Sequence, residues 1–374
     1  MRGRAAHRAR QAGVKHFHTL VPFAARLPDH TPWVLCVPAL AWCWMSLLGP
    51  ISQAREVGEP VIWVADRDRS RVYGLDADLL LVQRREVGWP LQVVPRSDGG
   101  LWVARSGNAT PDFGARVTLL LPSSGLSGLD QAGLNQVGWQ EAGELWLDAF
   151  VDCALAPDDT LWCLERIPDG STRLLHVRSD VTSECVLQGQ FLQVRVNRAG
   201  VWCVTADQRL LLVSFQGAVQ GAISWGRPIV DLVPEGTAHH GMWVLLGGEQ
   251  HALTCVQANL TALWWRELPV RATELALDPD VGGGLDGCGG WLLDPRGGTL
   301  LRVTQGAGAT PEVTLAIVTP QVALAAPRLL LAMPGAVAVV ASPGGLLRYD
   351  HAGQILPGQG GFGWISSLAR AVRD

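Results

Sequence analysis

The stretch VIWVADRD (residues 61–68) sets a pattern that returns six more times along this chain. Each copy is a short apolar strand around a reference residue, and each ends in turn-forming residues. The reference residues are Trp63, Trp102, Trp162, Trp202, Trp243, Trp291 and Val337. They lie 39 to 60 residues apart. Repeats of about 40–50 residues that are built from short alternating strands are typical of β-propeller blades.

Further strands flank each reference strand. QRLLLVSFQG (208–217) follows one of them, and PLQVVPRSDG (90–99) precedes another, both with the period-2 alternation of β-strands. The repeating unit is therefore a four-stranded meander, whose strands we name A to D from the centre of the ring outward.

The chain ends on a strand that matches the start of a blade. The first repeat begins at its B strand, whereas GWISSLARA (363–371) matches GWPLQVVPR (88–96) in its Gly-Trp start and its alternation. A C-terminal strand that completes the N-terminal blade would remove two exposed strand edges. The sequence predicts an all-β fold, a seven-bladed β-propeller of four-stranded antiparallel blades closed by this strand.

Composition agrees with this prediction. The 374 residues are 48% hydrophobic and include 43 Gly and 23 Pro, too many turn formers for long helices. Lys15 is the single lysine, so the chain beyond residue 54 offers no lysine for Schiff-base chemistry.

Residues 1–54 differ from the rest. A basic leader precedes the apolar run WVLCVPALAWCWMSLLG (33–49), and Ser52-Gln53-Ala54 has the pattern of a signal-peptidase site. We expect a signal peptide over 1–54, a propeller domain over 55–374 and a secreted or periplasmic protein. A retained membrane anchor is the alternative, although 17 residues interrupted by Pro38 fall short of the roughly 20 that span a membrane.

Charge restricts the partners. The whole chain carries a net charge of −4, and removal of six basic residues and one acid with the leader leaves about −9. So acidic a domain argues against nucleic acid or an anionic membrane as partner, and leaves a protein or a glycan.

The reference tryptophans and the cysteines are first interpreted as structural. A large ring at one fixed position in each B strand is expected to fill the space between blades rather than to stack on a ligand. Cys153 and Cys163 fall on neighbouring strands of one blade, where either a cross-strand disulfide or two buried free thiols fit. Four more cysteines remain after cleavage: Cys185, Cys203, Cys255 and Cys288.

Two families resemble this chain. VADRDRSRVYGLDAD (64–78) resembles the NHL repeat, and DGGLWVA (98–104) is similar to the blades of streptogramin lyases. These resemblances imply a propeller but leave the function open, because propellers include lactonases, lyases and binding scaffolds. The lyases use a histidine with a nearby glutamate on the top face, whereas His239 and His240 fall in an A-to-B turn on the opposite face.

Polar residues recur near the start of the A strands, which line the central channel. They form a candidate metal site of three carboxylates and two amides: Asp152, Asp231, Glu274, Gln92 and Gln193. Oxygen ligands of this kind suit a hard cation, so calcium is the candidate cofactor and an ordinary wet channel with no cofactor is the alternative.

The B-to-C loops place further charges on the same face. We take these residues as a candidate ligand-binding set: Asp66, Arg105, Glu165, Asp207 and Asp294, with Arg166 and Arg296 beside them. The chain has no G-x-S-x-G, H-E-x-x-H or C-x-x-C motif. The sequence therefore favours a binding scaffold that uses its top face, with a calcium-dependent lactonase- or lyase-like enzyme as the alternative.

Overall fold

The computed structural model describes residues 61–107, 114–129, 135–178, 183–235, 240–278, 289–306, 312–320, 324–341 and 344–371. The predicted signal peptide lies outside these ranges. Within them, no helix has the length and apolar character needed to cross a membrane.

The described strands form seven separate sheets, each of four antiparallel strands. Blade 1 contains β1 (Ile62–Asp66), β2 (Arg71–Leu75), β3 (Leu81–Glu86) and, as its A strand, β28 (Ile365–Arg370). Blade 2 contains β4 (Pro90–Pro95), β5 (Leu101–Ser106), β6 (Ala115–Leu129) and β7 (Asn135–Leu147). Blade 3 contains β8 (Ala149–Leu155), β9 (Leu161–Arg166), β10 (Thr172–Val177) and β11 (Ser183–Gly189).

The remaining four blades follow in chain order. Blade 4 contains β12 (Phe191–Asn197), β13 (Gly200–Thr205), β14 (Arg209–Val213) and β15 (Val219–Ser224). Blade 5 contains β16 (Ile229–Pro234), β17 (Met242–Leu246), β18 (Ala252–Val256) and β19 (Ala262–Glu267). Blade 6 contains β20 (Glu274–Leu277), β21 (Gly289–Asp294), β22 (Thr299–Gln305) and β23 (Val313–Val318). Blade 7 contains β24 (Leu329–Met333), β25 (Ala336–Ala341), β26 (Gly345–Asp350) and β27 (Ile355–Gln359).

Ring closure by the C-terminus is confirmed. Strand β28 pairs antiparallel with β1 from Ile62 opposite Arg370 to Asp66 opposite Ile365. Phe362 and Ile365 are buried in the apolar cluster that joins blade 7 to blade 1. The first and last parts of the chain therefore share one sheet.

The structural interpretation of the reference residues is also confirmed. Five of the tryptophans are fully buried, Trp63 is 4% exposed and Val337 is fully buried. Each tryptophan packs against the next blade: Trp102, for example, shares a cluster with Leu161 and Cys163 of blade 3. Burial of such a side chain removes about 150–250 Å² of surface from water, so these rings hold neighbouring blades together.

Blade 2 departs from the repeat in its outer hairpin. Strands β6 and β7 are 15 and 13 residues long, against five to seven for the other C and D strands. Pairing between them continues to Leu129 opposite Asn135, beyond the end of β5. This hairpin accounts for the long step between Trp102 and Trp162.

Candidate functional site in the central channel

The predicted polar residues lie at one level of the channel. Each pairs with the B-strand residue two positions after the reference tryptophan of its blade: Gln92 with Ala104, Asp152 with Leu164, Gln193 with Val204, Asp231 with Leu245, and Glu274 with Leu293. Ser367 and Leu330 complete the level by pairing with Ala65 and Val339. We call these seven residues the channel ring.

Local irregularities precede most of the polar members. The pairing register shifts immediately before Gln92, Asp152, Gln193 and Asp231. A bulge redirects a side chain that an ordinary strand would place differently.

A cavity of about 520 Å³ opens at the channel ring. Its lining divides into two walls. Blades 3 to 6 form a charged wall, which holds every charged side chain of the lining, Asp152, Arg195, Asp231 and Glu274, beside five apolar residues: Phe150, Val151, Leu232, Val233 and Leu275. Blades 7, 1 and 2 form a wall in which Gln92, Ser366 and Ser367 accompany these apolar side chains: Leu91, Leu329, Leu330 and Leu368.

Two of the carboxylates connect neighbouring A strands. Asp152 accepts a hydrogen bond from the backbone N–H of Val194 at 3.0 Å, and Asp231 accepts one from Leu275 at 2.9 Å. The second oxygen of each accepts the N–H of the following residue in its own strand. All four carboxylate oxygens therefore already accept a hydrogen bond from a backbone N–H group.

The two amides make similar connections. Gln92 bonds both the N–H and the carbonyl of Cys153, at 3.3 and 3.0 Å. Gln193 donates to the carbonyl of Val230 at 2.9 Å. Four of the five predicted metal ligands thus join one blade to the next, which is a role that sequence reasoning missed.

Sequence reasoning also missed Arg195, the protein's own cation in this site. Its guanidinium lies 2.7 Å from Asp152 Oδ2 and 3.6 Å from Asp231 Oδ1, and it donates to the carbonyls of Leu232 and Val194. Burial acts to lower the pKa of Arg195, but the two aspartates outweigh it and hold that pKa above its ordinary value. The available signal was spacing, because Arg195 follows Gln193 by two positions and shares its face of the strand.

Glu274 has a different environment. Within the described part of the chain it has no hydrogen bond or ion pair. Burial, reinforced by the negative charge of Asp231 and opposed by Arg195, raises the pKa of Glu274 to about 8. Burial likewise raises the pKa of Asp231, although Arg195 and two backbone N–H groups oppose the change.

These donors do not fit a calcium ion. Calcium takes about 6–8 oxygen ligands, whereas the oxygens of Asp152 and Asp231 are engaged and Arg195 lies between them. Across the described ranges, no group of three or more His, Cys, Asp or Glu side chains is arranged to hold a metal ion.

Three of the candidate ligand-binding acids stabilise the loops of the top face, where B strands end and A strands begin. Asp66 is fully buried and accepts the N–H of Gly363 at 2.8 Å. Glu165 is 3% exposed, accepts the N–H of Asp148 at 2.7 Å and pairs with Arg173. Asp294 accepts the N–H groups of Arg296 and Gly297.

The other two candidates are more accessible. Asp207 is exposed and pairs with Arg209 at 2.7 Å. Arg105 bonds Glu144 at 2.7 Å. The five predicted ligand-binding residues lie in five different blades, and four of them belong to the ends of B strands rather than to the predicted B-to-C loops; only Asp207 lies in such a loop.

A pair of aromatic side chains on the top face was not among the predicted site residues. Trp89 is 38% exposed and Trp364 50% exposed, and both directly precede an A strand. The hydrogen bond from Ser366 Oγ to the carbonyl of Pro90, at 2.7 Å, holds these two strand starts together. The guanidinium of Arg328 lies 3.5 Å from the centroid of the Trp364 ring. The Gly-Trp dipeptide that the two strands share was the sequence signal for this pair.

The four cysteines whose side chains the structure describes, Cys153, Cys163, Cys203 and Cys255, are buried and form no disulfide with one another. Cys153 and Cys163 are direct cross-strand partners. Burial raises the pKa of each well above its ordinary value, so both are present as thiols.

The fold and the channel together define a class: a seven-bladed β-propeller with a polar, ligand-sized channel mouth. No model of a known protein family matches the chain, and no curated protein does.

Solved structures do resemble it. Dihydro-heme d1 dehydrogenase NirN, in complex with DHE, has a TM-score of 0.53 at 10% identity over 83% of this chain and 65% of that one. A protein of unknown function from Bacteroides caccae has a TM-score of 0.44 at 11% identity, covering 84% of this chain and 99% of its own. BamB from Moraxella catarrhalis has 0.41 at 11% identity, covering 72% and 71%. At such low identity, the NirN likeness supports the fold alone.

Proposed function

We propose that this protein is a secreted or periplasmic β-propeller that binds a protein or glycan partner through its top face. The exposed pair Trp89 and Trp364, beside the channel mouth, is the observation that carries the proposal. Exposed tryptophan is enriched at binding surfaces because one ring supplies a large contact area and a hydrogen-bond donor. The basic leader and apolar run of residues 1–54 support export.

The resemblance to NHL repeats and streptogramin lyases fits either a scaffold or an enzyme. NirN is described as a dehydrogenase, so sharing its fold does not separate the two. The scaffold is favoured because two of the three predicted metal-binding carboxylates are engaged with backbone N–H groups.

An enzyme at the channel mouth is the second candidate, and Glu274 is the observation that favours it. A carboxyl group with its pKa raised to about 8 is suited to exchange protons near neutral pH. In the lactonase- or lyase-like form of this proposal calcium would be the cofactor, and it would have to displace Arg195 from the oxygens of Asp152 and Asp231.

The test of the scaffold uses the Trp89→Ser/Trp364→Ser double variant and a matched control, Trp265→Ser. Trp265 is 39% exposed on an outer strand, so its loss removes similar surface away from the top face. On a glycan array and in crosslinking to exported proteins, we expect the double variant to lose a ligand that the control retains. Equal binding by both variants would reject the top face.

The enzyme is tested separately. Metal analysis of the purified protein and a lactone hydrolysis assay with added calcium are compared between the wild type and Glu274→Gln. Stoichiometric calcium together with activity lost in the variant would favour the enzyme over the scaffold.

A further inference from the structure

The channel cavity contains one carboxyl group, Glu274, for which the described residues supply neither a hydrogen bond nor an ion pair, although Arg195 and Asp231 act on its pKa at longer range. Asp152 and Asp231 share Arg195, and their oxygens accept backbone N–H groups. Glu274 has neither kind of partner among the described residues. Arg195 is the one basic side chain that lines the cavity in this part of the chain, and its contacts are with the two aspartates and two carbonyls.

The wall formed by blades 7, 1 and 2 supplies an apolar surface for a ligand. Leu329 and Leu330 belong to blade 7, which adjoins the blade of Glu274, and Leu91 and Leu368 extend the apolar surface. A volume of about 520 Å³ is far larger than a metal ion needs. It falls in the range of roughly 300–1,000 Å³ that is typical of small-molecule sites.

From this geometry we propose that the cavity binds a small organic ammonium ion, with Glu274 as its counter-ion and the leucine wall against its apolar body. An anion would approach three carboxyl groups, and a neutral molecule would offer Glu274 no countercharge when that carboxyl group ionises. A bare divalent ion would lack ligands, because the aspartate oxygens are occupied. This site goes beyond the top-face function, since it is inside the channel and does not depend on Trp89 or Trp364.

Binding of such a cation should release a proton. With its pKa near 8, Glu274 carries a proton for most of the time at pH 7 when the cavity is empty. A nearby ammonium favours the carboxylate. Uptake of one cation at pH 7 is therefore coupled to loss of nearly one proton.

The experiment is isothermal titration calorimetry of the full-length protein at pH 7 with three probes: phenethylamine, its neutral analogue 2-phenylethanol, and Ca²⁺. Titration in PIPES and in HEPES, which differ in their heats of ionisation and carry no net positive charge, separates the heat of binding from that of proton release. We expect phenethylamine to bind, 2-phenylethanol to bind at least tenfold more weakly, and Glu274→Gln to lose both the amine affinity and the proton release. Glu267→Gln, an exposed control at the end of β19, should behave as the wild type.

A second variant guards against a folding defect in Glu274→Gln. Leu329→Phe, at a partly buried position of the same wall, keeps every charge and reduces the room beside it, so it should weaken phenethylamine binding without changing the protons released per amine bound. The proposal is overturned if 2-phenylethanol binds as tightly as the amine, if Glu274→Gln binds phenethylamine normally, if Ca²⁺ alone binds stoichiometrically, or if no probe binds. None of these results bears on the top-face partner, which the tryptophan variants test.

Discussion

The two walls of the channel use their ring positions in different ways. In blades 3 to 5, Asp152 and Asp231 tie one A strand to the next and hold Arg195 between them. In blade 6, Glu274 lies at the same level but has no such partner among the described residues, and the next blade places Leu330 there. A shared position in a repeat therefore does not imply a shared role, because neighbouring blades determine which groups each side chain meets.

The largest expected effect comes from removal of β28, the A strand of blade 1, which lies between blades 7 and 2 in the apolar wall. Deletion of residues 361–374 removes β28 and with it the pairing of blade 1 and the burial of Phe362 and Ile365. We expect loss of cooperative folding, an effect as large as the whole stability of about 5–15 kcal/mol. Circular dichroism melting and size-exclusion chromatography measure it. Truncation after Ala371 is the control, and an equal melting curve for the long deletion would contradict the closed ring.

The next largest effect concerns the charged wall. Arg195→Met leaves Asp152 and Asp231 without their cation, and we expect a loss of about 3 kcal/mol in the free energy of unfolding. The loss should shrink as the pH falls, because protonation of Asp231, whose pKa burial raises, relieves the repulsion. Urea unfolding at pH 5 and pH 8 measures both effects. Arg209→Met, which breaks the exposed pair with Asp207, is the matched control, and a similarly small loss in both variants would contradict the proposed importance of Arg195.

Glu274 should make the stability of the wild-type protein depend on pH. Its folded-state pKa of about 8 exceeds the ordinary value of 4.5, so the folded protein holds a proton that the unfolded chain releases. Stability should therefore fall as the pH rises between these values, by at most about 1.4 kcal/mol per pH unit. In Glu274→Gln this part of the decline should disappear. Melting temperatures of the two proteins from pH 5 to pH 9 check the prediction, and parallel curves would contradict it.

The smallest expected change, in the melting temperature, concerns two acids of the top face, one exposed and one buried. Asp207 is exposed, so Asp207→Ala should leave the melting temperature unchanged within error. Glu165→Ala removes a buried group that pairs with Arg173 and accepts the N–H of Asp148, so it should clearly lower that temperature. Differential scanning fluorimetry compares the variants. Equal shifts would mean that burial does not distinguish these loop acids.

Much of the architecture was predictable because its signals are local. The Trp-centred B strands, the blade count and the closing strand follow from periodicity within short stretches. The ring positions followed as well, since alternation along an A strand fixes which residues share a face. The extended β6–β7 hairpin was not predicted, because its weak alternation did not distinguish strand from loop.

The site was predicted only in part. The five ring residues were identified by position, but their contacts depend on other blades: Arg195 meets Asp152 across 43 residues of sequence, and Gln92 meets Cys153 across 61. Identification of Trp89 and Trp364 as candidate binding residues required the exposed fraction of each ring, which only the folded structure shows.

The sequence by itself determined that seven similar blades form and that the two ends of the chain share one of them. It did so because a β-strand's pattern of burial repeats every two residues. Only the tertiary structure decided that Asp152 and Asp231 hold Arg195, while Glu274 has no hydrogen bond or ion pair within the described part of the chain. The physical reason is that charge balance, desolvation and pKa depend on the groups within a few ångströms, and closure of the ring brings those groups from separate blades.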